Sequence, residues 1–358
     1  MLPRLERYKE FIEKEYIKSL TNNQAHDLSL LKPDLKRKIR QGQFERIVFS
    51  GMGCSAIVVE MIKGFLIEQK IPLRVEIIND YMFEYFIEPK IIKDKKTLII
   101  ISSEGGCSQE PLKFYERVKK LTKNIIFLTA GGELGKIAAK DKVSLISWQL
   151  KNPDKNYAVL HAPEYFVNLL NIFFKLRLIK NNHERDLKMV AKLVKKEFSR
   201  KKIATAEQLA KKIKNRDIIL VANSLWHLTL LKLVAMHLNE LALTPAHSNG
   251  LHEFTHCEVL TLTKPQTKLA LIIFQDQDED EYTKNKIQNL VEVLTKKIKP
   301  DKNREVVVIN LERKNFLQNF FSTLLKMQYV AYFLGVNYNS ATNDLVAKTA
   351  LKYENFNA

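Results

Sequence analysis

The chain has 358 residues, 46% apolar and 27% charged: too long for one ordinary core, and balanced as a folded globular protein is. No run approaches the roughly 18 uninterrupted apolar residues of a membrane-spanning helix, and Met1-Leu2-Pro3-Arg4 turns charged at once, so neither a membrane span nor a signal peptide is expected. The net charge of +18 comes mainly from lysines spread along the chain, without aromatic–basic interleaving, which excludes a nucleic-acid stacking platform and leaves a solvated surface that attracts small anions.

In chain order, Leu2 to about Ile39 reads as helices, followed by the apolar strand Arg46–Ser50, Gly51, and a helix from Ser55 to Glu68. Further strands are expected at Leu73–Ile78, Thr97–Ser102, Asn124–Thr129 and Val143–Ser147, with helices at Glu110–Leu121 and Leu134–Ala139 between them. That alternation predicts a parallel, doubly wound sheet with helices on both faces. Lys151-Asn152-Pro153-Asp154-Lys155-Asn156 is polar and turn-forming, and a long helical region follows at about Pro163–Lys214. The rhythm restarts with a strand at Asp217–Asn223 and a helix near Leu228–Leu241. Strands recur at Lys268–Phe274 and Glu305–Asn310, and helices at Glu281–Lys297 and Phe316–Leu334. The fold class is therefore α/β with two tandem domains. The expected division is 1–150 for N-terminal helices and a first domain, 151–200 for a helical linker, and 201–358 for a second domain with C-terminal helices.

Two loops carry the chemistry. Gly51-Met52-Gly53-Cys54-Ser55 joins a strand to a helix, where glycines let backbone N–H groups approach an anion and the helix dipole favours it. A third glycine and a later acidic ribose ligand are missing, so this is not a dinucleotide fingerprint. Ser102-Ser103-Glu104-Gly105-Gly106-Cys107-Ser108-Gln109-Glu110 follows the Thr97 strand. Hydroxyls bracketing a glycine pair at a strand's C-terminal end can wrap a phosphate dianion; a glycine-rich turn with a serine N-cap is the structural alternative.

Residues Ile100–Leu112 resemble the sugar-phosphate loop of the SIS-fold (sugar-isomerase) bifunctional phosphoglucose/phosphomannose isomerases, and Gly51–Ile57 resembles their first glycine loop. Asn239-Glu240-Leu241-Ala242-Leu243-Thr244-Pro245-Ala246 and Leu251-His252-Glu253-Phe254-Thr255-His256-Cys257-Glu258 resemble two further segments, and Tyr329–Gly335 and Leu351-Lys352 also fit. The resemblance implies two SIS domains and an aldose–ketose isomerase. Such an enzyme interconverts glucose 6-phosphate or mannose 6-phosphate with fructose 6-phosphate through an enediol. It implies Glu240 as catalytic base, His256 as the ring-opening histidine supplied by a neighbouring subunit, and Lys352 as the lysine at the ring oxygen. Gly53, Ser55, Ser103 and Ser108 fall on phosphate-binding positions. No cofactor, no metal and a cytoplasmic homodimer with a shared active site are expected, with no nucleic-acid or membrane partner.

The departures are equally specific. Gly105 stands where the family has a serine and Cys107 where it has an asparagine. Leu241 and Leu243 replace polar residues. Tyr157-Ala158-Val159-Leu160-His161 holds no arginine where the family places one to stabilise the enediolate, His161 being the nearest substitute. These departures motivate a second reading, a catalytically impaired SIS protein that binds a phosphosugar as sensor or regulator. His252-Glu253-Phe254-Thr255-His256 also spells the zinc-protease pattern H-E-x-x-H, which needs a continuous helix and a third ligand. Here Pro245 and Ser248-Asn249-Gly250 break the chain just before it. His237 and His247 receive no role. Cys54, Cys107 and Cys257 are too few and too far apart for a disulfide framework.

Overall fold

A computed structural model describes residues 4–21, 26–147, 158–197, 199–223, 225–311, 315–338 and 340. Lys352 and the whole turn-forming segment at 151–156 lie outside them. The described residues form two compact units, residues 19–185 and residues 4–18 with 186–340. This division falls between Arg185 and Asp186, within the segment expected as linker. The N-terminal helices α1 (Arg4–Glu10), a π turn (Phe11–Glu15) and the start of α2 (Tyr16–Ser19) go with the second sheet.

The first unit runs α3 (Pro33–Arg40), β1 (Arg46–Ser50), α4 (Gly53–Glu68), β2 (Arg74–Ile78), α5 (Pro89–Lys93), β3 (Thr97–Ser102), α6 (Gln109–Val118), β4 (Ile125–Thr129), α7 (Gly132–Lys140), β5 (Ser144–Ser147) and α8 (Ala162–Lys175). Its five strands are all parallel in the order β2-β1-β3-β4-β5. Every residue of β3 and β4 is buried, because helices cover both faces of a parallel sheet and leave no solvated side for polar residues. Phe114, Tyr115 and Val118 of α6 pack one face with Phe83 and Leu134. On the other, α8 packs against α4.

The expected helical region at 163–214 consists of three helices: α8, α9 (Glu184–Glu197) and α10 (Arg200–Ile213). The second unit continues with β6 (Asp217–Ala222), α11 (Leu225–Glu240), β7 (Ala246–Gly250), α12 (Leu251–His256), α13 (Leu260–Thr263), β8 (Leu269–Asp276), α14 (Glu281–Glu292), β9 (Arg304–Leu311) and α15 (Phe316–Asn337). Its four parallel strands run β7-β6-β8-β9. Strand β7 has the sequence Ala-His-Ser-Asn-Gly, none of it β-branched or aromatic, and it reads in sequence as a chain break. It is a strand because one neighbour, β6, templates it and Asn239 ties it down: Asn239 accepts from the Ala246 N–H at 2.8 Å and donates to the Ala246 carbonyl at 3.1 Å.

Two contacts, on a core that a third braces, explain why the N-terminal helices join this unit. Tyr16 donates to the Phe321 carbonyl of α15 at 2.8 Å. The Tyr8 hydroxyl lies 3.0 Å from His237 Nδ1 on α11, and Gln328 Nε2 lies 3.3 Å from His237 Nε2. His237 is fully buried, and that desolvation lowers its pKa to about 3. Its unfolded pKa is near 6.5, so as pH falls the unfolded chain takes up the proton first. The stability from neutral His237 is complete above pH 6.5 and is lost progressively down to about pH 3. Urea unfolding at pH 7 and pH 4 is expected to show about 3 kcal/mol less stability at pH 4 from this group alone. His237→Gln should flatten that part of the profile; an unchanged slope would show that other groups set it.

Candidate functional site

In the first sheet the chain leaves β1 toward β2 on one side and returns to β3 on the other. The crevice beyond the C-terminal ends of β1 and β3 is therefore the topological switch point, where open α/β sheets hold ligands. Ser50 pairs with Ile101, and Ser102 with Leu128, so the loops at 51–55 and 103–108 leave neighbouring strands at that edge. Gly51 is buried there, and a Cβ on it would meet Phe49 at 2.9 Å and the Ser102 carbonyl at 3.4 Å. Gly53 opens α4 at φ +52°, a left-handed conformation that glycine adopts without strain. Ser55 is half-buried in the first turn of α4, its N–H on the Met52 carbonyl at 3.2 Å.

Ser103 is buried, and its hydroxyl donates to the Ser108 hydroxyl at 3.2 Å. Ser108 occupies the N-cap position of α6, yet its side chain makes no capping bond to the helix. The first-turn N–H groups of α6 are thus not closed by that serine, which favours a ligand over an ordinary capped turn. The glycines serve a purpose beyond anion approach: they lock this loop onto the next one. Ala130 donates to the Glu104 carbonyl and Leu134 to the Gly106 carbonyl, both at 2.9 Å. Gly106, at φ +71°, lies so near Gly131 that a Cβ would come within 1.9 Å of its carbonyl oxygen.

Gly105 is different. Its φ is outside the left-handed region, and a Cβ there would meet nothing within 4 Å. Gly105→Ser therefore restores a hydroxyl at no steric cost. It is expected to tighten phosphate binding about tenfold, the worth of one hydrogen bond to a charged group, in a calorimetric titration with inorganic phosphate. Unchanged affinity would mean that position 105 does not face the anion.

Sequence reasoning missed Tyr165 and Glu104. Tyr165, buried on α8, donates to Glu104 Oε2 at 3.3 Å. Its pKa is raised by burial, then by the charges of Glu104 and Cys54, while a hydrogen bond with Ser55 acts the other way. One tyrosine so touches both loops, and no local sequence signal marks it. His161, the nearest substitute for the missing arginine, is 1% exposed, with Nδ1 3.6 Å from Glu164 Oε2 one helical turn on.

In the second unit Glu240 ends α11 and is exposed, and Asn239 beside it holds β7. Leu241 is buried in the core, whereas Leu243 is exposed at φ +52°. His256 is exposed at the end of α12. Sequence reasoning also missed a brace two residues beyond it: His247 of β7 pairs with Glu258, which accepts from Asn249 at 2.9 Å. Glu240 and His256 thus stand on the two elements that flank β7. In the H-E-x-x-H segment, α12 has only six residues, and His252 is stacked on Tyr282 with Lys286 Nζ 3.3 Å from its Nδ1. Among the described residues no three His, Cys, Asp or Glu side chains cluster as a metal would need. None of the three cysteines forms a disulfide among the described residues. No helix among these residues is long and apolar enough to cross a membrane.

Residues 202–347 match the family model of the bacterial phospho-glucose isomerase C-terminal SIS domain. A bifunctional phosphoglucose/phosphomannose isomerase of Caldicellulosiruptor bescii is 27% identical over 312 residues, covering 84% of this chain and 87% of that protein. Among solved structures, the tagatose-6-phosphate ketose/aldose isomerase of Escherichia coli aligns with a TM-score of 0.65 at 14% identity, covering 94% of this chain and 96% of its own. The C-terminal domain of glucosamine-fructose-6-phosphate aminotransferase from Francisella tularensis aligns at 0.60 and 15% identity, covering 93% and 94%. These likenesses confirm two tandem SIS domains as the fold.

Proposed function

We propose that this chain, a divergent member of the SIS-domain bifunctional phosphoglucose/phosphomannose isomerases, is a phosphosugar isomerase acting on a hexose 6-phosphate. The observation that carries the reading is the Ser103–Ser108 hydroxyl pair at the uncapped start of α6, on the switch point of the first sheet. The relative's name favours a phosphoglucose or phosphomannose as aldose, and the family resemblance implies the 6-phosphates, with fructose 6-phosphate as ketose.

In this reading Gly53, Ser55, Ser103 and Ser108 hold the phosphate. Glu240 takes the proton from C2 of the open-chain aldose, giving a cis-enediol, and returns it to C1 while the hydroxyl proton passes from O2 to O1. A carboxylate suffices because the carbonyl makes that C–H acidic. His256 of the partner subunit opens the ring, assisted by Lys352, and the working form is a homodimer in the cytoplasm. No metal or organic cofactor is needed for a proton shift of this kind. The test is a coupled assay of the full chain with both aldose phosphates, against Glu240→Gln. Turnover above the variant supports the reading, and none with either substrate ends it.

A second reading, phosphosugar binding without isomerisation in a sensor or regulator, is favoured by the burial of His161 against Glu164 in the region that lacks the arginine. Losing a fixed donor aimed at the enediolate oxygen costs roughly 10²–10³ in rate. Binding without turnover in the same samples selects this alternative.

A further inference from the structure

Helix α15 is mostly apolar, but Asn319, Ser322, Thr323 and Lys326 recur at helical spacing and form one polar stripe. A stripe on an otherwise buried helix needs a polar counterpart, and this one faces a cavity of about 380 Å³. The opposite wall is the first turn of α10, with Lys201 and Lys202, and the floor is the C-terminal end of β9 at Asn310. Among the described residues that line the cavity, Lys201, Lys202 and Lys326 carry the charge and none is a carboxylate. The Ser322 hydroxyl oxygen is buried and finds no hydrogen-bond partner among the described residues. A buried hydroxyl without a partner costs about 1–3 kcal/mol, so a chain that keeps one has a use for it. The cavity lies beyond the C-terminal edge of the second sheet, the side on which α/β sheets bind ligands, and its size suits a small metabolite.

We infer that this cavity is a second ligand site, formed within the second SIS domain, for a small phosphorylated polyol. The lysines meet the phosphate, and Ser322, Thr323 and Asn310 meet hydroxyl groups. It is built from residues that the proposed catalytic site does not use.

The test is calorimetry on the full chain carrying Ser103→Ala and Ser108→Ala, which weakens the first loop, titrated separately with fructose 6-phosphate and inorganic phosphate. Saturable binding of both is expected, one per chain, weakening as salt rises. Adding Lys201→Glu should lower the affinity about tenfold or more. Ser322→Val, which breaks no hydrogen bond and so leaves the fold intact, should weaken fructose 6-phosphate more than phosphate. Absence of binding, affinities that neither variant changes, or phosphate binding without fructose 6-phosphate binding would each overturn the inference.

Discussion

Glu240→Gln is expected to lower kcat for hexose-phosphate isomerisation by about 10²–10⁴ while KM stays nearly constant. Glutamine has the shape of glutamate and keeps the helix end, but it cannot accept a proton from carbon. The carboxylate is exposed at the end of α11, and urea midpoints of variant and parent, measured alongside the rates, separate a lost base from lost stability. The split between kcat and KM is the discriminating readout. A base acts only in the transition state, so kcat and kcat/KM fall together; a residue that merely contacts bound sugar would raise KM alone. Exchange of the C2 hydrogen of the aldose with solvent deuterium should vanish in the same variant. An active E240Q enzyme would move the base elsewhere and leave Glu240 as a surface carboxylate beside Tyr8.

The strands of the first sheet were legible because their burial on both faces writes continuous apolar runs such as Leu98–Ile101 and Ile125–Leu128 into the chain. Strand β7 was not, since its residues carry no strand preference and its conformation is imposed by β6 and Asn239. The positions of Ser103 and Ser108 followed from loop chemistry placed after a strand. Tyr165 and the His247–Glu258 brace did not, because each joins segments that come together only in the folded unit. The attachment of the N-terminal helices is not legible for a related reason: Tyr8 and Tyr16 tie them to α11 and α15, more than 200 residues away along the chain. Hydrogen bonds at that separation leave no local trace.

Gly106→Ala is expected to destabilise the protein by about 3–5 kcal/mol and to abolish phosphate binding at the serine loop. Two costs combine. The left-handed backbone at φ +71° penalises any Cβ by about 1–2 kcal/mol. The new carbon would also sit 1.9 Å from the Gly131 carbonyl oxygen, and both sides of that contact are backbone, so relief requires the two loops to part. Parting them breaks the Ala130–Glu104 and Leu134–Gly106 bonds that hold the Ser103–Ser108 geometry. Two other glycines calibrate the effect. Gly53→Ala carries the backbone cost at φ +52° but meets nothing within 4 Å, so about 1–2 kcal/mol is expected. Gly105→Ala carries neither cost and should be nearly neutral. Urea midpoints of the three variants, with calorimetry on inorganic phosphate, give the ranking directly. If G106A unfolds within 1 kcal/mol of G53A, the close loop contact contributes little. The glycine pair would then serve the ligand alone.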